Sequence, residues 1–279
     1  MYELVRHIVQ VPSVKLVISD FFEGRKLVVE VSDSESRRFG FGVSRLLVPM
    51  GVEYSDKQIV EALGAARTPL VILRADARRG SLSTHLSEVA EFECLHADTL
   101  VYHRWHLAEL NSPLVDHERV SIGPADSVNE ILPTINQSFA GYRNHYSANP
   151  RLADSVTLVA YQEWATDLMK RPDCRVLVAR DGKSLDVVGF VLFVINHELQ
   201  FSEIVLNAVH PDAQRAGIYS HLLLAVREHL EKFSPVEYLY ISTQSQNNAV
   251  IAAWTKLGLQ SYVEINTFHL MHDTIDAVR

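Results

Sequence analysis

The sequence predicts an α/β protein with a mixed sheet, built in two parts. Three observations lead there. Short runs rich in Val, Ile and Leu alternate with helix-length segments along the whole chain. The second part reads in the order β-α-α-β-β-β-α-β-α-β. Between them, NSPLVDHERVSIGPADS (111–127) holds Pro113, Gly123 and Pro124 and little periodicity, which marks a boundary. The expected units are 1–112, a smaller α/β domain, and 118–279.

In the first unit, VKLVISDFF and KLVVEVS read as strands flanking a Glu23-Gly24 turn. Residues 55–66 read as a helix capped by Ser55. LVILRAD (70–76) is a strand, 82–91 a helix and HADTLVYHRWHL a last strand. Strict alternation places His96 and His106 on one strand face and His103 on the other, as solvated side chains rather than a metal site.

In the second unit, strand 120–123 leads through Asp126 or Ser127 as N-cap into a helix ending near Phe139. A polar-aromatic loop and a helix over 154–169 follow. Strand CRVLVAR, the Asp181-Gly182 turn, and strands VVGFVLFVI and FSEIVLNAV come next. A helix then runs from Gly217 to about Phe233 and buries Leu222, Leu223, Val226 and Leu230. Strand YLYIST, a helix over 247–257 and a strand over 262–271 close the chain.

Of the 279 residues, 47% are hydrophobic and 22% charged, and the formal net charge is −8. That balance offers no basic footprint for nucleic acid, so an anionic ligand must be held by local donors. Cys94 and Cys174 make neither a disulfide framework nor a zinc site. MYELVRHIVQVPSVKL has no basic segment leading into a long apolar core, and no apolar run reaches the roughly 20 residues of a membrane span. The expectation is a soluble cytoplasmic protein without a metal.

The stretch HPDAQRAGIYSHLL (210–223) carries the chemistry. Gly217 opens an apolar-faced helix, whose first N–H groups have no intrahelical partners. A glycine there lets a phosphate approach them, and Arg215 adds a charged donor. The run Gln214-Arg215-Ala216-Gly217-Ile218-Tyr219 resembles the pyrophosphate loop of the GNAT acyl-CoA N-acyltransferases, Gln/Arg-x-x-Gly-x-Gly/Ala. Tyr219 stands where that pattern has a small residue. The element order of 120–272 matches the same fold, whereas residues 1–110 match in layout only. FECLHADTLVYHRW and LQSYVEINTFHLM occupy like places at the ends of the two parts, a hint of a degenerate GNAT-like half.

The resemblance implies acyl-CoA as co-substrate. Leu206, Asn207, Ala208 and Val209 would line it, and a backbone N–H there, at Asn207, would polarise the thioester carbonyl. TQSQNNAVIAAWTKLGL (243–259) is similar to the matching segment of the TDP-fucosamine type of acetyltransferase. It implies that Asn247, also a good N-cap, contacts CoA and that Trp254 sits beside the sulfur. Many GNAT enzymes have a tyrosine general acid there. Indole cannot supply a proton at neutral pH, though its N–H can bond a thiolate. A thiol with a pKa of about 8.5 leaves tolerably well without an acid.

For the base, Glu203 is placed four residues before Asn207 on an assumed common strand face, and His145 is the alternative. SFAGYRNHYSANPRL offers Phe139, Tyr142, Arg143, His145 and Tyr146 to the acceptor. Aromatic faces and cations suit a nucleotide sugar. The two-part layout resembles TDP-amino-sugar acetyltransferases and implies a dTDP-linked amino sugar acceptor, polysaccharide biosynthesis and a homodimer. An enzyme acting on a peptide, lysine or other small amine, or a non-catalytic acyl-CoA-binding module, are the other readings.

Overall fold

The computed structural model describes residues 18–24, 26–109, 117–152 and 156–272. The first residues of the expected strand VKLVISDFF (14–22), the segment 110–116 and the start of the helix expected at 154 lie outside them.

The elements are α1 (Ile18–Glu23), β1 (Val29–Val31), α2 (Asp33–Phe39), β2 (Val43–Leu47), α3 (Asp56–Leu63), β3 (Leu70–Asp76), α4 (Leu82–Ser87), β4 (Phe92–His106), β5 (Val120–Pro124), α5 (Leu132–Phe139), α6 (Val156–Met169), β6 (Cys174–Asp181), β7 (Val187–Asn196), β8 (Phe201–Val209), α7 (Ile218–Phe233), β9 (Tyr238–Gln244), α8 (Asn248–Lys256) and β10 (Gln260–His272). They build one ten-stranded mixed sheet, ordered β1-β2-β3-β10-β4-β9-β8-β7-β6-β5.

Two sequence readings of the first part are corrected. ISDFFE is helix α1, not strand: Ile18 and Phe21, three residues apart, are both buried against the sheet, a helical rather than an alternating spacing. DSESRRF forms α2, which the reading passed over. Its Asp33 and Glu35 lie in the first turn and Arg37 and Arg38 in the last, complementing the helix dipole. Ser55 caps α3 as expected, in a reciprocal capping box with Gln58. The helix from 126 or 127 is also broken: a 3-10 turn over Val128–Glu130 precedes α5.

The two parts of the chain share strands. Long β4, from the first part, lies between β9 and β10 of the second, and β10 lies between β3 and β4 of the first. The elements around that pair repeat. Apart from α2, which lies between β1 and β2, the series β1-β2-α3-β3-α4-β4 follows the order of β7-β8-α7-β9-α8-β10, each with an antiparallel pair followed by a parallel pair joined through a helix. A division near residues 112–118 therefore divides the chain, while the sheet runs through it.

Helices α3, α4, α7 and α8 cover one face of the sheet through the clusters around Leu46, Leu73 and Phe268 and around Trp105, Val191, Leu222 and Trp254. Helices α1, α2, α5 and α6 border the other, where the apolar lining is interrupted. That interruption holds the site.

Candidate active site

Strands β8 and β9 run parallel but pair only from Phe201↔Tyr238 to Ile204↔Ile241. The register of β8 on β7 shifts between Ile204 and Leu206, so Val205 forms a bulge. A bulge bends its strand and increases the local twist. Beyond it, Leu206–Val209 and Ser242–Gln244 are unpaired with each other, and the backbone of β8 on that side has no strand partner among the described residues. The same junction in the first part is closed: β2 pairs with β3 from Val43↔Leu70 to Leu47↔Arg74, and Val48 N–H continues the ladder to Arg74 O at 2.9 Å.

A cavity of about 1480 Å³ runs through the opening. One end holds Leu206, Asn207, Ala208, Val209, Gln214, Arg215, Gly217, Ile218 and Tyr219, with Asn247 and Trp254 opposite on α8. The loop is tied down by Gln214 Nε2, which donates to Val209 O at 3.1 Å, and by His117 Nε2 on Ala216 O at 2.8 Å. Gly217 has φ +80°, a left-handed conformation that costs an L side chain roughly 1–2 kcal/mol. Arg215 also has a positive φ, +63°. The two turns present the N–H groups of 215–217, which donate to no backbone carbonyl among the described residues, beside the first turn of α7. That is an anion cradle of the kind a pyrophosphate fills. At α3, by contrast, Ser55 and Gln58 occupy the donors of the helix start.

Asn247 stands at the N-cap position of α8, but its side chain does not cap: Nδ2 donates to Thr243 Oγ1 at 3.0 Å. Trp254 is 1% exposed, and its indole N–H donates to Tyr219 Oη at 2.8 Å. Burial pushes the Tyr219 hydroxyl well above the ordinary phenol range, so it stays protonated; its oxygen accepts from the indole, and the residue lines the cavity.

The other end of the cavity is a chamber walled by both parts of the chain. Tyr142 enters it with its hydroxyl donating to Gln244 Oε1 at 2.5 Å. Phe139 stacks on Tyr161 with ring centroids 4.1 Å apart. Tyr146 donates a hydrogen bond from its hydroxyl to Glu35 on α2, which also pairs with Arg45 at 2.6 Å. Burial would raise the Glu35 carboxyl, but Arg45 and Tyr146 outweigh it and hold it at about 2. Arg143 points elsewhere: it is exposed and lines a smaller neighbouring recess with Ala97 and Ser147.

Neither expected base is poised as one. Glu203 does not line the cavity. It is buried beneath α1, with Oε2 accepting the Ile18 N–H at 2.5 Å, and burial holds its carboxyl well above the ordinary range. The bulge at Val205 explains the misplacement. Glu203 pairs with Val194, and Asn207 with Val191, so the two residues project from opposite faces of the sheet. His145 does line the chamber, but its tautomer is set from behind. Arg151 N–H donates to Asn149 Oδ1 at 3.0 Å, which orients the amide. Asn149 Nδ2 then donates to His269 Nδ1 at 3.0 Å, and His269 Nε2 to His145 Nδ1 at 2.9 Å. His145 is left with its proton on Nε2, as a donor. Burial and then the Arg74 charge hold His145 well below the ordinary histidine range, so it stays neutral.

The histidines of β4 also differ from expectation. A register shift beside Ala97 turns His96 to the face of His103, opposite His106. Among the described residues no group of three His, Cys, Asp or Glu side chains could hold a metal, and no helix is long and apolar enough to cross a membrane.

Residues 139–259, which span the loop, the opened strands and α8, match the model of the acetyltransferase (GNAT) family. The fold is the GNAT fold. Solved structures agree. A functionally unknown conserved protein from Staphylococcus epidermidis aligns over 93% of this chain and 98% of its own with TM-score 0.58 at 12% identity. A tandem GNAT protein from the clavulanic acid biosynthesis pathway aligns over 82% and 75%, with TM-score 0.58 at 13% identity. A GCN5-related N-acetyltransferase from Sphaerobacter thermophilus aligns over 86% and 75%, with TM-score 0.55 at 13% identity. No curated protein matches the chain. The GNAT family uses acetyl-CoA, and the cradle at Gly217 with the unpaired edge of β8 fits that ligand's pyrophosphate and pantetheine arm.

Sequence reasoning missed Arg74, Asp98, Tyr102, Ser242 and Gln244 around the chamber. Arg74 and Asp98 had a readable signal, each being a charge inside an apolar strand.

Proposed function

We propose that the protein is an acyl-CoA-dependent N-acyltransferase that acylates a primary amine by direct attack in a ternary complex. One observation carries this reading: the cavity runs unbroken from the donor-rich start of α7, through the opened β8–β9 junction, into a polar chamber. Gln214, Arg215 and the N–H groups of 215–219 would hold the pyrophosphate. The β8 edge at Leu206–Val209 would hold the pantetheine arm and polarise the carbonyl at Asn207.

The bound thioester supplies an activated acyl group and a leaving thiolate. In the transfer a nitrogen–carbon bond forms as the carbon–sulfur bond breaks. The nitrogen's proton goes to water in the cavity, since Glu203 is sealed off and His145 is a donor. The sulfur takes its proton from water, and Tyr219, whose hydroxyl burial keeps protonated, would donate a hydrogen bond to the departing thiolate. With a thiol pKa of about 8.5, that second proton adds little to the rate.

Two acceptor classes have support. A dTDP-linked amino sugar, the class the sequence resemblance implies, would set its base among Phe139, Tyr142 and Tyr161 and its diphosphate toward the arginines that line the chamber. A small amino acid with a second amine is favoured by a buried Asp98 beside Arg74 in the same chamber. The test is thiol release from acetyl-CoA against a panel of nucleotide amino sugars, diamino acids and lysine peptides. Release with at least one class supports N-acyl transfer; acetyl-CoA binding with no release against any amine would favour a non-catalytic binding module.

A further inference from the structure

The N–H cradle at the start of α7 is backed by a residue that is not among those lining the cavity. His117 lies just ahead of the edge strand β5 and outside residues 139–259, the span that matches the family model. Its segment is pinned to the turn between β6 and β7. Gly182 N–H donates to Arg119 O at 2.9 Å, and Arg119 pairs with Asp181 at 3.4 Å. Arg119 N–H in turn donates to His117 Nδ1 at 3.2 Å. With Nδ1 accepting, the ring proton sits on Nε2. Nε2 then donates to Ala216 O at 2.8 Å. The ring of His221, one turn into α7, packs beside that of His117 with centroids 5.2 Å apart.

The residue after Ala216 is what gives this bond its consequence. Glycine takes up positive and negative φ about equally well, so the peptide joining Ala216 to Gly217 can turn over with little steric resistance. In a trans peptide the carbonyl and the next N–H point in opposite directions. Ala216 O aimed at His117 therefore aims the Gly217 N–H the other way. Arg215 and Gly217 line the cavity, while Ala216, between them, is turned from it. The conformer at φ +80° is thus the one that offers an N–H to an anion; the flipped peptide would offer a carbonyl oxygen and repel it. The ring also backs directly on the glycine, since a β-carbon at 217 would stand 3.6 Å from His117 Nε2. Gln214 Nε2 on Val209 O holds the opposite end of the loop and does not reach this peptide.

We propose that His117 is a positioning residue for pyrophosphate binding: by holding Ala216 O it keeps the Gly217 N–H turned toward the anion. That the pyrophosphate belongs to acyl-CoA rests on the acyl-transfer reading above; the part His117 plays in the cradle does not.

Calorimetry on the full chain, with CoA and with inorganic pyrophosphate as the two probes, tests this. His117→Phe keeps a ring beside His221 and removes the donor. It should weaken both probes by at least about threefold, the loss of one neutral hydrogen bond. His117→Gln, whose amide can donate to Ala216 O, should bind both more tightly than the phenylalanine variant. A loss under threefold in His117→Phe, or a glutamine variant no better than it, would overturn the proposal. If a variant fails to fold, nuclear magnetic resonance on the unaltered chain decides. His117 should carry its proton on Nε2 and not on Nδ1, and the Gly217 amide signal should shift when pyrophosphate is added. The opposite tautomer, or an amide that does not move, would overturn it as well. With any amine that releases thiol, the His117→Phe defect should appear in the KM for acetyl-CoA and not in that for the amine; the reverse would contradict the proposal. No binding of CoA or pyrophosphate by the unaltered chain would sink the cradle and the role of His117 together. Binding of both, weakened in His117→Phe, with no thiol release against any amine, upholds that role and counts against acyl transfer alone.

Discussion

The indole N–H of Trp254 on α8 donates to the phenol oxygen of Tyr219 on α7 at 2.8 Å. Each residue departs from the sequence pattern it resembles: Tyr219 replaces a small residue, and Trp254 a tyrosine. The hydrogen bond joins the two departures, so that the phenol stands on α7 and the indole on α8.

Trp254→Phe should therefore destabilise the fold by about 1–3 kcal/mol, because it leaves a buried hydroxyl without its partner. Tyr219→Phe should cost a similar amount by stranding the indole N–H. In the double variant the two losses should be less than additive, by roughly 0.5 kcal/mol or more in denaturant titrations. Strict additivity would mean that the bond contributes nothing. In turnover, Trp254→Phe should lose less than tenfold.

Gly217→Val places a branched side chain at φ +80°. The strain should lower stability by about 1–3 kcal/mol, and the methyls should block the N–H cradle. Acetyl-CoA affinity, measured at a temperature where the variant stays folded, is expected to fall below detection. Gly217→Ala shares the strain with less bulk and should keep part of the affinity. Equal affinity for CoA in a folded Gly217→Val would remove the loop from the site.

Glu203→Gln should leave turnover and its pH profile unchanged, since the carboxyl is sealed under α1. Its effect lies in stability. The folded carboxyl keeps its proton above the unfolded value of about 4.5, so the native chain binds more protons than the unfolded one as pH rises past that point. Glu203 thus takes stability away with rising pH, and the glutamine variant should lose less stability than the parent between pH 5 and 8. A large turnover defect that shrinks at high pH would instead make Glu203 the base.

Burial holds His269 at about 4, against 6.5 for the free side chain. Between those values the unfolded chain takes up a proton that the native chain refuses, so stability should fall as pH drops from 6.5 toward 4 and be insensitive to this group above 6.5. His145, held low as well, adds to the same trend. His269→Gln, which keeps a donor toward His145, should flatten the acid limb of a plot of unfolding free energy against pH. An unchanged slope would mean that the pair is protonated in the folded protein.

What was legible in the sequence was local. Gln214, Gly217, Asn247 and the apolar face of α7 could be read because a loop and the helix it opens lie within a few residues of each other. What was lost depended on single-residue register. The bulge at Val205 reverses the face of Glu203 relative to Asn207, and the shift beside Ala97 turns His96 over; alternation counted along a sequence cannot see either. The insertion of β4 and β10 into each other's parts pairs residues about 170 apart, such as His96 and Phe268. That is why Arg74 and Asp98, which line one chamber from separate strands, did not suggest a shared location. His145 was placed correctly in the chamber, but the proton it carries depends on Asn149, Arg151 and His269 behind it.

The most direct test of the account is the stoichiometry of acetyl-CoA binding by calorimetry. The opened β8–β9 junction and the bare start of α7 offer one site, while the closed β2–β3 junction and the self-capped start of α3 offer none. The prediction is one acetyl-CoA per chain, lost in Gly217→Val and retained in Ser55→Ala. Two molecules per chain, no binding, or a site abolished at Ser55 and unaffected at Gly217 would contradict it.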